Sequence, residues 1–111
     1  MKRIKLTCDL YGKVIVDDLG NKLFANENDT VQIEISYPNQ YASYTKQADI
    51  YVDNTQSKYS IEDEVNKTFT FELTSSHLKQ GYIKIQPVAY LEDSVQKWEV
   101  CKLEIRYSVN T

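Results

Sequence analysis

The sequence predicts an all-β chain, two antiparallel sheets packed face to face with about seven strands between them. Three observations carry this. Apolar residues recur at every second position in segment after segment, and no segment sustains a 3.6-residue period. Tyrosine occurs nine times, and its ring suits half-buried pleated surfaces. A chain with 41% hydrophobic and 26% charged residues has a globular composition, which speaks against disorder.

Taken in order, Ile4, Leu6 and Cys8 alternate with Lys5 and Thr7 and read as an opening strand. Lys13 to Val16 is a short β-rich run. "DDLGN" (Asp17–Asn21) has turn chemistry, with Lys22 to Ala25 returning as a hairpin arm and "NEND" ending the segment. "TVQIEISY" is the clearest strand, with Val31, Ile33, Ile35 and Tyr37 on one face and Gln32, Glu34 and Ser36 on the other. Pro38-Asn39 ends it. Ala48, Ile50 and Val52 form the next alternation, and "DNTQSKYSIEDE" reads as a polar connection.

Phe69, Phe71 and Leu73 make a further strand. Tyr82 to Leu91 is a longer one, in which Pro87 marks a bulge or a strand edge. Between these two lies a crossover from sheet to sheet. Ser75 or Ser76 caps a short helical turn near Ser76–Gln80, Leu78 plugs the open end of the sandwich, and Gly81 supplies a left-handed exit. In "WEVCKLEIRY", Cys101, Leu103, Ile105 and Tyr107 share the inward face of a closing strand.

With 111 residues, the chain reads as one domain spanning residues 1–111. That length buries roughly two-thirds of the surface exposed by the unfolded chain, enough for a core without metals or cross-links. The net charge is −3, and no basic cluster exceeds Lys2-Arg3-Lys5, so nucleic acid is not an expected partner. No apolar run follows the basic start, so neither a signal peptide nor a membrane span is expected. The sequons at Asn28 and Asn66 then read as accidental. Cys8 and Cys101 sit near opposite ends of the chain and become neighbours if the first and last strands pair. They read as reduced, half-buried thiols, with a disulfide as the alternative.

Chemistry is sparse. His77 is the only histidine, and its neighbours Ser75 and Ser76 are too close in sequence to converge on it as a triad. The acidic runs Asp17-Asp18, Glu27 with Asp29, and Glu62-Asp63-Glu64 lack the spaced pattern of a calcium loop and read as solvated. Gly12, Gly20 and Gly81 stand alone, so there is no phosphate-binding loop. The expectation is a protein that is not an enzyme and takes no metal or cofactor. The tyrosines remain. Tyr37, Tyr41 and Tyr44 cluster in "SYPNQYASYTK", where they serve edge packing, a protein interface or sugar stacking. Trp98 reads as a core or rim residue.

"NDTVQIEI", "ADIYVDN", "KTFTFELTSSHLKQGYIKIQPVAYLED" and "KLEIRYSVN", together spanning most of the chain, resemble the N-terminal domain of phage baseplate upper proteins. Similar modules occur in tail or receptor-binding proteins of phages that infect Gram-positive bacteria. The resemblance implies an immunoglobulin-like β-sandwich in the virion. It would attach a distal fibre or receptor-binding part to the tail, have other virion proteins as partners, and commonly self-associate as a trimer. It brings no catalytic residues. The expected interface residues are Tyr41, Tyr44 and Tyr59. The alternative is a carbohydrate-binding module for bacterial surface glycans using the same tyrosines, and a third class is a regulator binding one host protein.

Overall fold

In the computed structural model, residues 2–25, 30–52, 55–61, 68–74, 77–78 and 81–106 are described, residues 55–61 as backbone alone. The alternating segments are strands: β1 (Lys2–Cys8), β2 (Val14–Asp17), β3 (Leu23–Phe24), β4 (Val31–Ser36), β5 (Thr45–Val52), β6 (Thr55–Ile61), β7 (Thr68–Leu73), β8 (Gly81–Leu91), β9 (Ser94–Lys97) and β10 (Cys101–Arg106). One sheet has the order β2-β1-β4-β7. The other runs β3-β10-β8-β5-β6, with β9 also paired to β8.

The all-β sandwich is as expected, with two corrections. There are ten strands among the described residues rather than about seven, and the sheets are mixed rather than antiparallel throughout. β1 runs parallel to β4, and β3 runs parallel to β10. The arm at Lys22–Ala25 therefore does not fold back on β2. Its two strand residues cross to the second sheet, where the Ala25 N–H donates to the Arg106 carbonyl at 2.9 Å. The "polar connection" is in part β6, an edge strand held by its seven-residue ladder to β5. Backbone pairing needs no apolar period, which is why the pattern did not announce it. The β4–β7 pair facing β10-β8-β5-β6 has the B–E and G–F–C–C′ neighbours of an immunoglobulin-like sandwich.

The core lies between the inward faces. Val31, Ile33 and Ile35 are fully buried, as are Leu6, Ile50, Leu73, Ile83 and Ile85. Each such side chain contributes about 1.5–3 kcal/mol of transfer free energy. A one-residue slip of β4 would bring Gln32, Glu34 and Ser36 inward instead, so the register is fixed by burial. Pro87 introduces no bulge against β5, where it sits opposite Ala48. On the other side of β8, β10 pairs only as far as Ile85 and β9 begins opposite Val88. The residue lacking an N–H thus falls in the gap between two neighbours, an edge site within a central strand.

Leu78 is fully buried, as a plug should be, and Gly81 opens β8 with φ +119°. The His77 N–H donates to the Thr74 carbonyl at 2.9 Å. Ser75, Ser76, Lys79 and Gln80 lie outside the described residues, as does Tyr107, so the helical turn expected there is described only at His77 and Leu78. The short helix that is described, a 3-10 turn at Asn39–Tyr41, follows Pro38 instead. The first and last described strands do not pair, contrary to the condition set for neighbouring thiols. Cys8 and Cys101 are free, buried, and project from opposite sheets into the same core. No helix among the described residues is long and apolar enough to cross a membrane.

Candidate functional site

The tyrosine segment folds onto one end of the sandwich. Tyr37 continues the inward face of β4 and is buried, while the 3-10 turn brings Tyr41 back against Trp98, with Tyr44 against Tyr41. Four rings then meet edge to face. Tyr37 and Trp98 have centroids 5.2 Å apart, Tyr41 and Trp98 5.1 Å, and Tyr41 and Tyr44 5.0 Å, at interplanar angles of 78–83°. Such pairs add about 0.5–1.5 kcal/mol each beyond area burial. Trp98, read from sequence as a core or rim residue, is a core residue, only 2% exposed. Tyr41 and Tyr44 are half-buried against the core. Their packed edges stiffen the end of the sandwich and their outer edges remain at its surface. Tyr59 lies on β6 opposite Ala48 of β5, the strand that follows the tyrosine segment, and its side chain is outside the described residues.

Trp98 also ties the β1–β2 hairpin to the second sheet. Its Nε1–H donates to the Asp9 carbonyl at 2.8 Å, and its own N–H donates to the Pro87 carbonyl at 3.0 Å. The next residue continues the seam. The Glu99 N–H donates to the Gly12 carbonyl, and Glu99 Oε1 accepts from the Val14 N–H, both at 2.9 Å. The hairpin so anchored carries exposed apolar side chains that sequence reading missed, Leu10, Tyr11, Ile15 and Val16, and Leu19 in the turn after β2 is exposed as well. Tyr11 is 87% exposed. The signal was present as "DLYGK", a Leu-Tyr pair immediately before a glycine turn. Tyr11 and Leu10 border an open cleft of about 430 Å³ that Asp9, Tyr37, Pro38 and Asn39 also line.

The remaining candidates resolve into structure. His77 Nδ1 accepts from the Thr74 N–H at 3.1 Å, and partial burial lowers the imidazole's pKa. That bond closes the turn after β7. Asp17 and Asp18 each turn one carboxylate oxygen onto a backbone N–H two residues ahead, at 3.0 and 2.9 Å, fixing the turn before β3. Glu27, Asp29 and Glu62–Glu64 lie outside the described residues. Among the described residues no group of three or more His, Cys, Asp or Glu side chains is arranged to hold a metal. Lys46 is fully buried on the inward face of β5, where Nζ donates to the Ala42 carbonyl at 2.8 Å beneath the 3-10 turn. This lysine therefore holds the floor of the tyrosine segment.

No family model matches the chain, and no curated protein does. Among solved structures, the chain is similar to the N-terminal domain of phage TP901-1 ORF48, with a TM-score of 0.53. The match covers 96% of this chain and 96% of that one at 11% sequence identity, so the likeness is one of fold.

Proposed function

We propose that the protein is a non-enzymatic structural module of a phage particle that works by docking to other virion proteins at the tail or baseplate. The observation that carries this reading is the aromatic end. Tyr41 packs edge to face on the buried Trp98 and Tyr44 packs edge to face on Tyr41, so both meet a partner with little side-chain entropy left to lose. Support comes from the full-length likeness in fold to a domain of a phage protein, and from the sequence resemblance to baseplate upper proteins. The short outer strand β2 and the strand β7 at the other side of the same sheet offer main-chain groups for strand addition.

The test is binding of the purified chain to tail proteins encoded beside it. Tyr41→Ala and Tyr44→Ala also lose packing, so each variant is first shown by circular dichroism to be folded at the assay temperature. Folded variants that bind at least about tenfold more weakly support the reading, a loss of about 1.4 kcal/mol. Undiminished binding removes the tyrosine end as the interface.

A second reading is favoured by the cleft beside Tyr11. An exposed ring flanked by Asp9 and Asn39 has the makings of a sugar platform, apolar stacking beside polar groups that read hydroxyls. Titration of cell-wall polysaccharide into the chain, followed by tyrosine and Trp98 fluorescence, separates the two. Saturable quenching lost in Tyr11→Ala favours the glycan.

A further inference from the structure

The outer faces of the two sheets treat their cations differently. On β1 and β4, Lys5 stands opposite Glu34 and the two side chains pair at 3.9 Å. On the second sheet, a row runs across three strands in which Tyr51 of β5 stands opposite Lys84 of β8, and Lys84 opposite Lys102 of β10. Both lysines are exposed, and neither makes an ion pair among the described residues. Like charges directly opposite one another destabilise a strand pair, and nothing in the fold requires these two. Among the described residues, two carboxylates stand diagonal to Lys84 in the register, and each has a partner on its own strand: Glu104 is held by Arg106 at 3.1 Å, and buried Asp49 accepts from the Gln47 side-chain amide at 2.9 Å. Tyr82 projects beside the lysines, 56% exposed, with Lys102 Nζ lying 5.6 Å from its ring centre. The face therefore offers two ammonium groups flanked by aromatic surface, in a chain whose net charge is −3.

The complement of that face occurs on the same molecule. The β8–β9 hairpin closes through Glu92 and Asp93, both exposed, and its flanks Leu91 and Val95 are 42% and 58% exposed. Two carboxylates between two aliphatic side chains match two ammonium groups beside tyrosine rings, in both charge and apolar character. Glu92 lies eight residues along the chain from Lys84, roughly 26 Å at strand rise, so one molecule cannot bring its own turn to its own face. We propose that the second copy of this chain is the occupant: the Leu91–Val95 turn of one copy docks on the Lys84–Lys102–Tyr82 face of the next. This rests on the docking reading above. It deepens that reading by naming one partner, since Tyr90, next to the turn, pairs with Thr45 beside Tyr44.

Such a contact is head-to-tail. Repeated, it closes a ring or extends a filament. A turn against a sheet face buries less than a standard interface, so association is weak and salt-sensitive.

Sedimentation of the full chain at concentrations up to several hundred micromolar, roughly the range of a weak contact, tests it. The wild type should associate at low salt and much less at about 0.5 M salt, where screening is severe. The double variant Lys84→Glu/Lys102→Glu should be monomeric alone, and so should Glu92→Lys/Asp93→Lys. An equimolar mixture should associate again, because the reversed turn of one variant fits the reversed face of the other. All four positions are exposed, so the variants fold, as melting curves will verify. A wild type that stays monomeric overturns the proposal, even if it binds polyglutamate or a single-stranded oligonucleotide through the lysines. So does association that persists in both variants, or a mixture that stays monomeric. The variants leave Tyr41 and Tyr44 unchanged, so each of these failures is separate from failure of the tail-protein binding assay.

Discussion

Trp98→Ala is the sharpest perturbation of the framework that presents the tyrosine end. The indole is 2% exposed, touches Tyr37 and Tyr41 edge to face, and donates to the Asp9 carbonyl. Truncating a buried tryptophan to alanine costs about 3–5 kcal/mol, a figure that already includes the lost ring contacts and the residual cavity. Against a typical total of about 5–15 kcal/mol, this is a large fraction of the stability. At about 4 °C per kcal/mol for a chain of this size, the midpoint should fall by roughly 12–20 °C. Thermal melts followed by far-UV circular dichroism measure it, since the variant removes the only tryptophan and its fluorescence. Trp98→Phe separates packing from the hydrogen bond. It keeps most of the ring but leaves the Asp9 carbonyl without its donor, and should cost about 1–3 kcal/mol. Hydrogen exchange adds a local readout. Amides of the β1–β2 hairpin should lose protection in Trp98→Ala more than those of β4, because Trp98 and Glu99 supply the seam to the second sheet. A midpoint within about 3 °C of wild type, less than the shift from 1 kcal/mol, would refute the idea that this residue clamps the two sheets.

Three further outcomes follow from the same geometry. Leu78→Ala should cost about 2–5 kcal/mol in denaturant unfolding, because the side chain is fully buried at the sandwich end; a cost below about 1 kcal/mol would mean it does not plug the core. Gly81→Ala should lower stability by about 1–3 kcal/mol although its Cβ would meet open space, since φ +119° is a backbone state that side chains disfavour; an unchanged midpoint would contradict this. Stability should fall as pH rises above about 9. Burial, together with the Cys101 and Asp9 charges, pushes the Cys8 thiol up to about 12, and burial and the Glu99 charge push Cys101 up to about 11. Burial raises the Tyr37 phenol as well. The folded chain then keeps protons that the unfolded chain releases, so the contribution is complete below the unfolded thiol range and is lost on the way to the folded one. Melts across that window should show a falling midpoint whose slope is reduced in Cys8→Ala/Cys101→Ala; a flat profile would argue against buried neutral thiols.

How much of this was legible depends on what held each element. β4, β7 and β10 bury every second side chain, so their residues had to alternate and the sequence exposed them. β6 and β9 lie at sheet margins, where the ladder to one neighbour suffices, and residues such as Thr55, Gln56 and Ser94 carry no periodic signal. β3 is two residues long, and its parallel partner β10 lies far along the chain. No local pattern encodes such a partner, so a hairpin was the natural reading of Lys22–Ala25. Parallel pairing of β1 and β4 was hidden for the same reason: alternation states which face is buried but not which way the neighbour runs.

Sites follow the same division. Clustering of Tyr37, Tyr41 and Tyr44 was visible because the three lie within eight residues, but their common support was not. Trp98 reaches them only because β8 turns back through β9 and returns the chain to the same end of the sandwich. The facing lysines show the limit more sharply. Lys84 and Lys102 are eighteen residues apart and unremarkable in sequence, and only the β8–β10 register sets them opposite each other. In a sheet protein without catalytic motifs, the surface chemistry that selects a partner is written in the pairing of strands. Cross-strand neighbours on the exposed faces, such as Lys5 with Glu34 against Lys84 with Lys102, then distinguish a cation paired across the ladder from like charges set side by side.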